Sequence, residues 1–371
     1  MELKIQRDEL FKSISRVQSI IERKSNMPIL STILLNASGS TVHISATDLE
    51  LGFQQVVSAN VIQEGSITIS GRKLFEILKE SKKPEFHIKG KENNWVFLSD
   101  DVARFDLACL PADEYPTFVE PEDVIMVKVD GEILSEMINK TIYSVTREDA
   151  GFKLSGVFTE KVIHDDNIFL RMVATDGHRL SMIDKSFTEL ESLELGNGVM
   201  IPKKGMSEIN KLASEGGVVH IGFEQKKCVV KKDNALLVIR LLEVKFPDYH
   251  SVIPKEEKIL ININRNAFFE AMRKMLILSN ERYRAVKIKL KNNIMELVST
   301  NPDLGEAQEN MEVEYQGENM EVGFNPQYFV DIVQTMESEH IDLIFIDNTK
   351  PCILKGEADK GFVGLVMPMR I

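Results

Sequence analysis

The same order of residues occurs three times along the chain. Leu3 and Ile5 alternate as in a strand, and Leu10, Ile14 and Val17 follow at helical spacing. Val127, Val129, Leu134 and Ile138 repeat the first four offsets, and Ile261, Ile263, Phe268 and Met272 repeat them again. A second marker follows each time after an alternating apolar run: Ala46-Thr47-Asp48 before Leu49, Ala174-Thr175-Asp176 before Leu180, and Ser299-Thr300-Asn301 before Leu304. A third is a strand running into a helix: Ile67 and Ile69 to Leu74 and Ile77, Val199 and Ile201 to Met206 and Ile209, Met320 and Val322 to Tyr328 and Ile332. Markers in one order at a period of roughly 120–135 residues define three copies of one domain, and this constrains the fold more than any other feature.

Each copy reads strand, helix, several strands, strand, helix, several strands. Thr41-Val42-His43-Ile44-Ser45 and Val286-Lys287-Ile288-Lys289-Leu290 alternate as half-buried antiparallel strands do. Runs of strands with two helices per copy predict an α+β fold, not a doubly wound parallel sheet. Pro and charge break the pattern near Glu120-Pro121-Glu122-Asp123 and near Ile253-Pro254-Lys255-Glu256, so the expected domains are 1–120, 121–252 and 253–371.

The net charge of −12 argues against a generic nucleic-acid coat protein, yet the charge is segregated. Helices are expected at about 11–24, 72–83, 132–147, 203–211, 265–284 and 326–340. The first, second, fourth and fifth are net basic, the third is balanced, and the sixth is acidic, which leaves the strands and loops strongly acidic. A shared basic helical surface suits phosphate, and without zinc-finger spacing or an Asn/Arg-rich recognition helix the contact is expected to be sequence-independent. No apolar run approaches the ~20 residues that span a bilayer, and the charged opening segment does not look like a secretion signal. Cys109, Cys228 and Cys352 have no metal spacing and read as buried thiols in a reducing cytoplasm.

Several motifs carry a resemblance to a known family. Ala174-Thr175-Asp176-Gly177-His178-Arg179-Leu180, Phe246-Pro247-Asp248-Tyr249, Ile277-Leu278-Ser279-Asn280-Glu281 and Val366-Met367-Pro368-Met369-Arg370-Ile371 resemble the bacterial sliding clamps, the beta subunits of the replicative DNA polymerase. Pro28-Ile29-Leu30, Thr47-Asp48-Leu49-Glu50 and Gly323-Phe324-Asn325 agree, and the likeness runs from end to end. It implies three tandem DNA-clamp domains, closing as a head-to-tail homodimer into a six-domain ring around duplex DNA. Twelve helices spaced about 9 Å apart make a circle roughly 34 Å across, and subtracting one helix diameter of about 10 Å leaves roughly 24 Å, about the width of a duplex. Such a ring tethers the replicative polymerase alpha subunit. It is loaded by a separate clamp loader ATPase and serves other polymerases and repair proteins that carry a clamp-binding peptide.

The resemblance places that peptide between the second and third domains. Leu154, Thr175, Gly177, His178, Arg179, Leu180, Pro247 and Val252 fall on one side. Asn325, Tyr328, Thr349, Pro351, Leu365, Met367, Pro368, Met369 and Arg370 fall on the other. Met367 and Met369 flanking Pro368 offer a deformable apolar surface, which suits many partners sharing one degenerate motif. Ser251, beside Val252, stands where some relatives have a basic residue. The resemblance also implies DNA contact at Lys24, Phe152 and Lys153. Arg72, Lys73, Lys203 and Lys204 start the later helices and are DNA candidates on charge and position. At the subunit boundary the resemblance sets Phe105 and Leu107 against Ile277 and Leu278.

No cofactor and no catalytic residue is expected. The competing expectation is a metal-dependent DNA-processing enzyme using Asp48, Asp176 and His178. Against it, the other repeats carry no histidine at the position of His178 and no further nucleophile accompanies it. Gly71-Arg72-Lys73 only echoes a phosphate-binding loop, so ATP hydrolysis is left to the loader.

Overall fold

The computed structural model describes residues 1–21, 26–116, 121–146, 154–254, 258–279 and 285–370. The first repeat runs β1 (Glu2–Gln6), α1 (Arg7–Val17), β2 (Thr32–Ser38), β3 (Thr41–Thr47), β4 (Leu51–Ser58), β5 (Asn60–Gln63), β6 (Gly65–Ser70), α2 (Gly71–Glu80), β7 (Glu85–Lys91), β8 (Trp95–Ser99) and β9 (Arg104–Ala108). The second runs β10 (Met126–Asp130), α3 (Gly131–Asn139), β11 (Gly156–His164), β12 (Asn167–Thr175), β13 (Arg179–Lys185), β14 (Val199–Pro202), α4 (Lys203–Ala213), β15 (Val218–Glu224), β16 (Lys227–Lys232) and β17 (Ala235–Arg240). The third runs β18 (Ile259–Asn264), α5 (Arg265–Ile277), β19 (Val286–Lys291), β20 (Ile294–Asn301), β21 (Gly305–Glu312), β22 (Met320–Phe324), α6 (Pro326–Val333), β23 (His340–Phe345), β24 (Cys352–Gly356) and β25 (Phe362–Val366). The α+β order therefore recurs three times, with the short β5 added in the first copy.

The apolar marker that opens each repeat is core in all three. Leu3, Ile5, Leu10 and Ile14 are buried, as are Val127, Val129, Leu134 and Ile138, and Ile261, Ile263, Phe268 and Met272. Three of the strand-to-helix junctions are built by capping side chains: Ser70 accepts from Lys73 N, Asn264 from Ala267 N, and Asn325 from Gln327 N ahead of Pro326. Each cap satisfies a backbone donor that the helix itself leaves open.

Two compact units emerge. One comprises Met1–Gly131, Ser192–Glu194 and Lys211–Leu241, with a five-stranded sheet β5-β1-β7-β8-β9 and an eight-stranded sheet β10-β15-β16-β17-β4-β3-β2-β6. The helices α1 and α2 pack together there, with Phe11 stacked on Phe75 at 5.3 Å between ring centres. The other comprises Glu132–Glu191, Leu195–Asn210 and Leu242–Ile371, with an eight-stranded sheet β14-β11-β12-β13-β25-β24-β23-β18 and a four-stranded sheet β21-β20-β19-β22. There α5 meets α6 through Phe268 edge-on to Phe329 at 5.6 Å. Each unit contains one seam between repeats, β4 with β17 in the first and β13 with β25 in the second, and both seams are antiparallel.

Five of the expected helices end sooner than their spacing predicts, the second by only a few residues, at Glu80. The first stops at Val17 because Ile20 and Ile21 fold back, both donating to Val17 O, while remaining in the core. The third stops at Asn139, the fifth at Ile277 and the sixth at Val333. The charge pattern shifts accordingly: α3 keeps Glu132 and Glu136 but no Lys or Arg, so it is acidic, not balanced. Lys140 beyond it is almost fully buried between Glu136 and Asp359. The helices α1, α2, α4 and α5 remain net basic. Among the thiols, Cys228 and Cys352 are buried, but Cys109 is only partly so. No helix among the described residues is long and apolar enough to cross a membrane.

Candidate partner-peptide site

The seam between β13 and β25 brings most of the expected pocket residues together. The turn from β12 to β13 is shaped by its own side chains. The Thr175 hydroxyl accepts from Gly177 N at 3.1 Å and donates to Arg179 O at 2.6 Å. Asp176 Oδ1 accepts from His178 N at 3.0 Å and Arg179 N at 3.1 Å. Gly177 takes a left-handed φ of +87°, where a side chain would be strained. His178 is left on the exposed tip of the turn, and its carbonyl accepts from Met367 N at 2.9 Å. Further along, Met369 N donates to Gly323 O at 2.8 Å, so the segment after β25 is stitched to the second repeat at one end and the third at the other.

Arg179 bolts the two repeats together. Its guanidinium donates to Asp176 Oδ2 at 3.0 Å, to Tyr143 O at 2.6 Å and to Asp331 on α6. It also lies over the Tyr328 ring at 4.7 Å. Burial raises the Tyr328 phenol above its usual range, with the Asp176 charge adding to it. Beneath this polar layer lies a core of Val173, Leu180, Met182, Met200, Phe246, Tyr249, Ile344, Ile353 and Leu365, edged by half-buried Leu154, Phe158, Leu242, Val244, Ile253 and Val363. Phe158 and Phe246 stack at 4.9 Å. Tyr249 is held by Arg171 at 3.1 Å and by Glu160, and burial pushes its phenol up to about 12. Arg171 in turn grips Asp184 with two bonds of 2.7 and 2.6 Å.

The expected residues separate by role. Leu180 and Leu365 are core and form the floor. Met367, Pro368 and Met369 are half-buried, and Pro247 and Val252 are exposed. Thr175 and Asn325 work as turn-maker and helix cap. Pro351 is buried ahead of β24, Thr349 sits apart in a turn closed by Asp347, and Arg370 is exposed. Phe158, Tyr143, Arg171 and Asp331 lacked any motif signal. Phe158 and Arg171 share a layer through the pairing of Phe158 with Val173 and of Glu160 with Arg171, which only the fold shows.

Family models for the N-terminal, central and C-terminal domains of the DNA polymerase III beta subunit match residues 1–119, 128–248 and 250–370. The chain belongs to that family. A beta sliding clamp of Pseudomonas aeruginosa is 31% identical over 373 residues, and one of Caulobacter vibrioides is 30% identical over 380, each covering both chains completely. The solved C. crescentus beta sliding clamp superposes with a TM-score of 0.93 at 29% identity, and the P. aeruginosa DNA polymerase III beta subunit with 0.91 at 30%, again over the whole of each chain. The chain is thus three tandem clamp domains, and its function is that of a processivity clamp that tethers a DNA polymerase.

The remaining candidate residues of the clamp can then be placed. Arg72 and Lys73 lie exposed on the first turn of α2, both paired with Glu76 at 2.9 and 2.8 Å. These bonds hold the Glu76 carboxyl below its usual range, Lys73 first and then Arg72. Lys203 and Lys204 occupy the first turn of α4 and are half-buried. Lys24, Phe152 and Lys153 lie outside the described residues. Phe105 and Leu107 are half-buried on β9, an edge strand, while Ile277 is 74% exposed at the end of α5 with Leu278 beside it. The alternative metal-dependent enzyme finds no support. Asp48 and Asp176 each cap a turn with Oδ1, Asp176 also binds Arg179, and no cluster of three metal-ligating side chains occurs among the described residues.

Proposed function

We propose that two copies of this clamp close head to tail into a six-domain ring that encircles duplex DNA without reading its sequence. The pairing rule inside the chain carries this reading. In each seam, the third strand after the first helix of one repeat (β4, β13) pairs with the final strand of the next (β17, β25). The counterpart of β4 and β13 in the third repeat is β21, and the counterpart of β17 and β25 in the first is β9. Both are edge strands of their sheets. An unpaired edge is a template for another chain, so β21 of one copy joining β9 of the next would complete a third continuous sheet, of nine strands because β5 is added in the first repeat. The contact is heterologous, and it gives a ring where the rotation closes. Domains of 1–120, 121–252 and 253–371 fit this assembly.

Within the ring, Arg72, Lys73, Lys203 and Lys204 would make weak, mobile phosphate contacts. Basic residues on first turns oppose the helix dipole, so helix stability does not account for them, whereas a phosphate partner does. The surface around Met367, Pro368, Met369, His178 and Val252 would take a short linear peptide from the polymerase and from other replication and repair proteins. The Bartonella birtlesii sliding clamp solved bound to griselimycin, at a TM-score of 0.94 and 29% identity, shows that a relative takes a ligand. The ring itself is non-catalytic, is opened by a separate loader ATPase, and works in the cytoplasm.

Topology tests the proposal. The protein is loaded onto a nicked circle with a bacterial clamp loader and ATP, half the sample is linearised, and both halves are sized at high salt. Retention on the circle with loss from the linear form is expected, since screened phosphate contacts treat both alike. Equal behaviour on the two, with a known clamp loading normally in parallel, would overturn it.

A further inference from the structure

The seam between the first and second repeats repeats the architecture of the site at the β13–β25 seam, with different chemistry at its lip. The turn from β3 to β4 copies the turn from β12 to β13 bond for bond. Thr47 Oγ1 accepts from Leu49 N at 3.0 Å and donates to Leu51 O at 2.8 Å, and Asp48 Oδ1 accepts from Glu50 N at 2.9 Å and Leu51 N at 2.6 Å. Glu50 O accepts from Arg240 N at 2.8 Å, as His178 O accepts from Met367 N. Arg240 therefore occupies the place of Met367, and Lys226 and Lys227, at the start of β16, the places of Lys350 and Pro351.

A cavity of about 340 Å³ opens at this seam, with Ala46, Leu49, Tyr115, Pro116 and Val238 among its apolar walls and Lys226, Lys227 and Arg240 along its rim. That volume lies at the lower end for small-molecule and side-chain pockets. One wall is strained. Leu49 stands where the second repeat has Gly177 and holds a left-handed φ of +76°, with 55% of its surface exposed. Only glycine adopts that backbone without cost, and an exposed leucine there gains no compensating burial. Tyr115 is supported from below by Ile29, Leu30, Leu34 and Leu110, so the cavity has a rigid back.

We infer that this seam is a second peptide-docking site, selective for a linear segment that places a bulky apolar side chain beside carboxylates. The cavity and Leu49 would hold the apolar group, and Lys227 and Arg240 would pair with the acids. A nucleic acid fits less well, because Glu50 also lines the site and its walls are apolar. The inference stands apart from the peptide role proposed for the β13–β25 seam, since it rests on a different cavity.

Fluorescence anisotropy of the full chain with a fluorescein-labelled acidic peptide, a Leu-Phe pair flanked by aspartates, tests it. Saturable binding that weakens as salt is raised is expected. Lys227→Glu combined with Arg240→Glu should weaken binding by roughly tenfold or more, the loss of two facing charges. Leu49→Gly relieves the backbone strain, so it should keep or raise the thermal midpoint while weakening the peptide about fivefold through lost apolar contact. Deletion of Met367 to Ile371 should leave this peptide's binding unchanged. The inference fails if binding is not saturable, if Leu49→Gly and the charge-reversal variant bind like the parent, if the deletion abolishes binding, or if an oligonucleotide binds there more tightly than the peptide.

Discussion

Lys140 is 1% exposed, yet its ammonium is charged between Asp359 at 2.8 Å and Glu136 at 2.6 Å. Burial alone would raise the Asp359 carboxyl, but Lys140 and donors from Ser338 and Glu337 outweigh it and hold the group below its usual 3.8. Burial likewise pulls Lys140 down, and its two carboxylates reverse that and lift it above 10.5. A depressed acid contributes stability above its unfolded value and loses it as pH falls through the lower native one, so Asp359 adds to acid unfolding below about pH 4. The raised Lys140 contributes below its unfolded value and loses it only as pH climbs beyond about 10.4. Asp359→Asn should cost about 3–5 kcal/mol at neutral pH, the usual loss on breaking a buried pair from one side. It should also flatten the acid limb of the stability curve, both read by urea unfolding of the clamp. Lys140→Met should cost less, about 1–3 kcal/mol, because the Asp359 carboxylate keeps the Ser338 and Glu337 donors. None of this was legible beforehand: Lys140 reads as one more basic helix residue, and only the fold brings Asp359 to it. Leu180 and Leu365, by contrast, were named from the family resemblance, and the structure puts both in the core beneath the β13–β25 seam.

At the scale of elements, the periodic signal located the six α-helices, missed the short 3-10 turns, and misplaced several ends. Apolar spacing continues through Ile20 and Ile21, and turn residues that are themselves core look like one more helical turn. Alternation likewise located strands but gave no clue to their partners, because the local pattern of a strand does not name the strand that pairs with it. The pairing of β4 with β17 is a long-range fact, and it alone turns β9 and β21 into candidate joining edges. The edges differ in charge: β9 is balanced by Arg104 and Asp106, and β21 carries Glu306, Glu309 and Glu312. If the copies join as proposed, charging the apolar residues beside these edges should separate them. Leu107→Asp combined with Ile277→Asp, both on surface the chain leaves open, should give a monomeric mass by analytical ultracentrifugation with an unchanged circular dichroism spectrum. A dimeric mass for that variant would show that the copies join elsewhere.

For the whole molecule, the threefold repeat was readable from spacing alone, while the division into two compact units was not. Each seam fuses neighbouring repeats into one continuous sheet, so packing groups the halves of the middle repeat with its neighbours. The charge balance bears on how such an assembly would hold DNA. A chain of net charge −12 repels a duplex at long range, and its basic first turns on α2 and α4 are partly neutralised, Arg72 and Lys73 by Glu76. Electrostatics can then guide DNA into place but cannot retain it, whereas a closed ring retains it whatever the contacts are worth. The two contributions separate experimentally. Reversing Arg72, Lys73, Lys203 and Lys204 to Glu together should slow loader-dependent loading by about tenfold or more, since steering acts on the rate of encounter. The same variant should stay on a closed circle as long as the parent does, within about twofold, because escape from the proposed ring would require opening its β9–β21 contact and not the breaking of phosphate contacts. Residence times on closed circles, followed after the loader is removed, measure the second quantity directly. A residence shortened in proportion to the loading defect would mean that charge, not closure, holds the clamp to DNA.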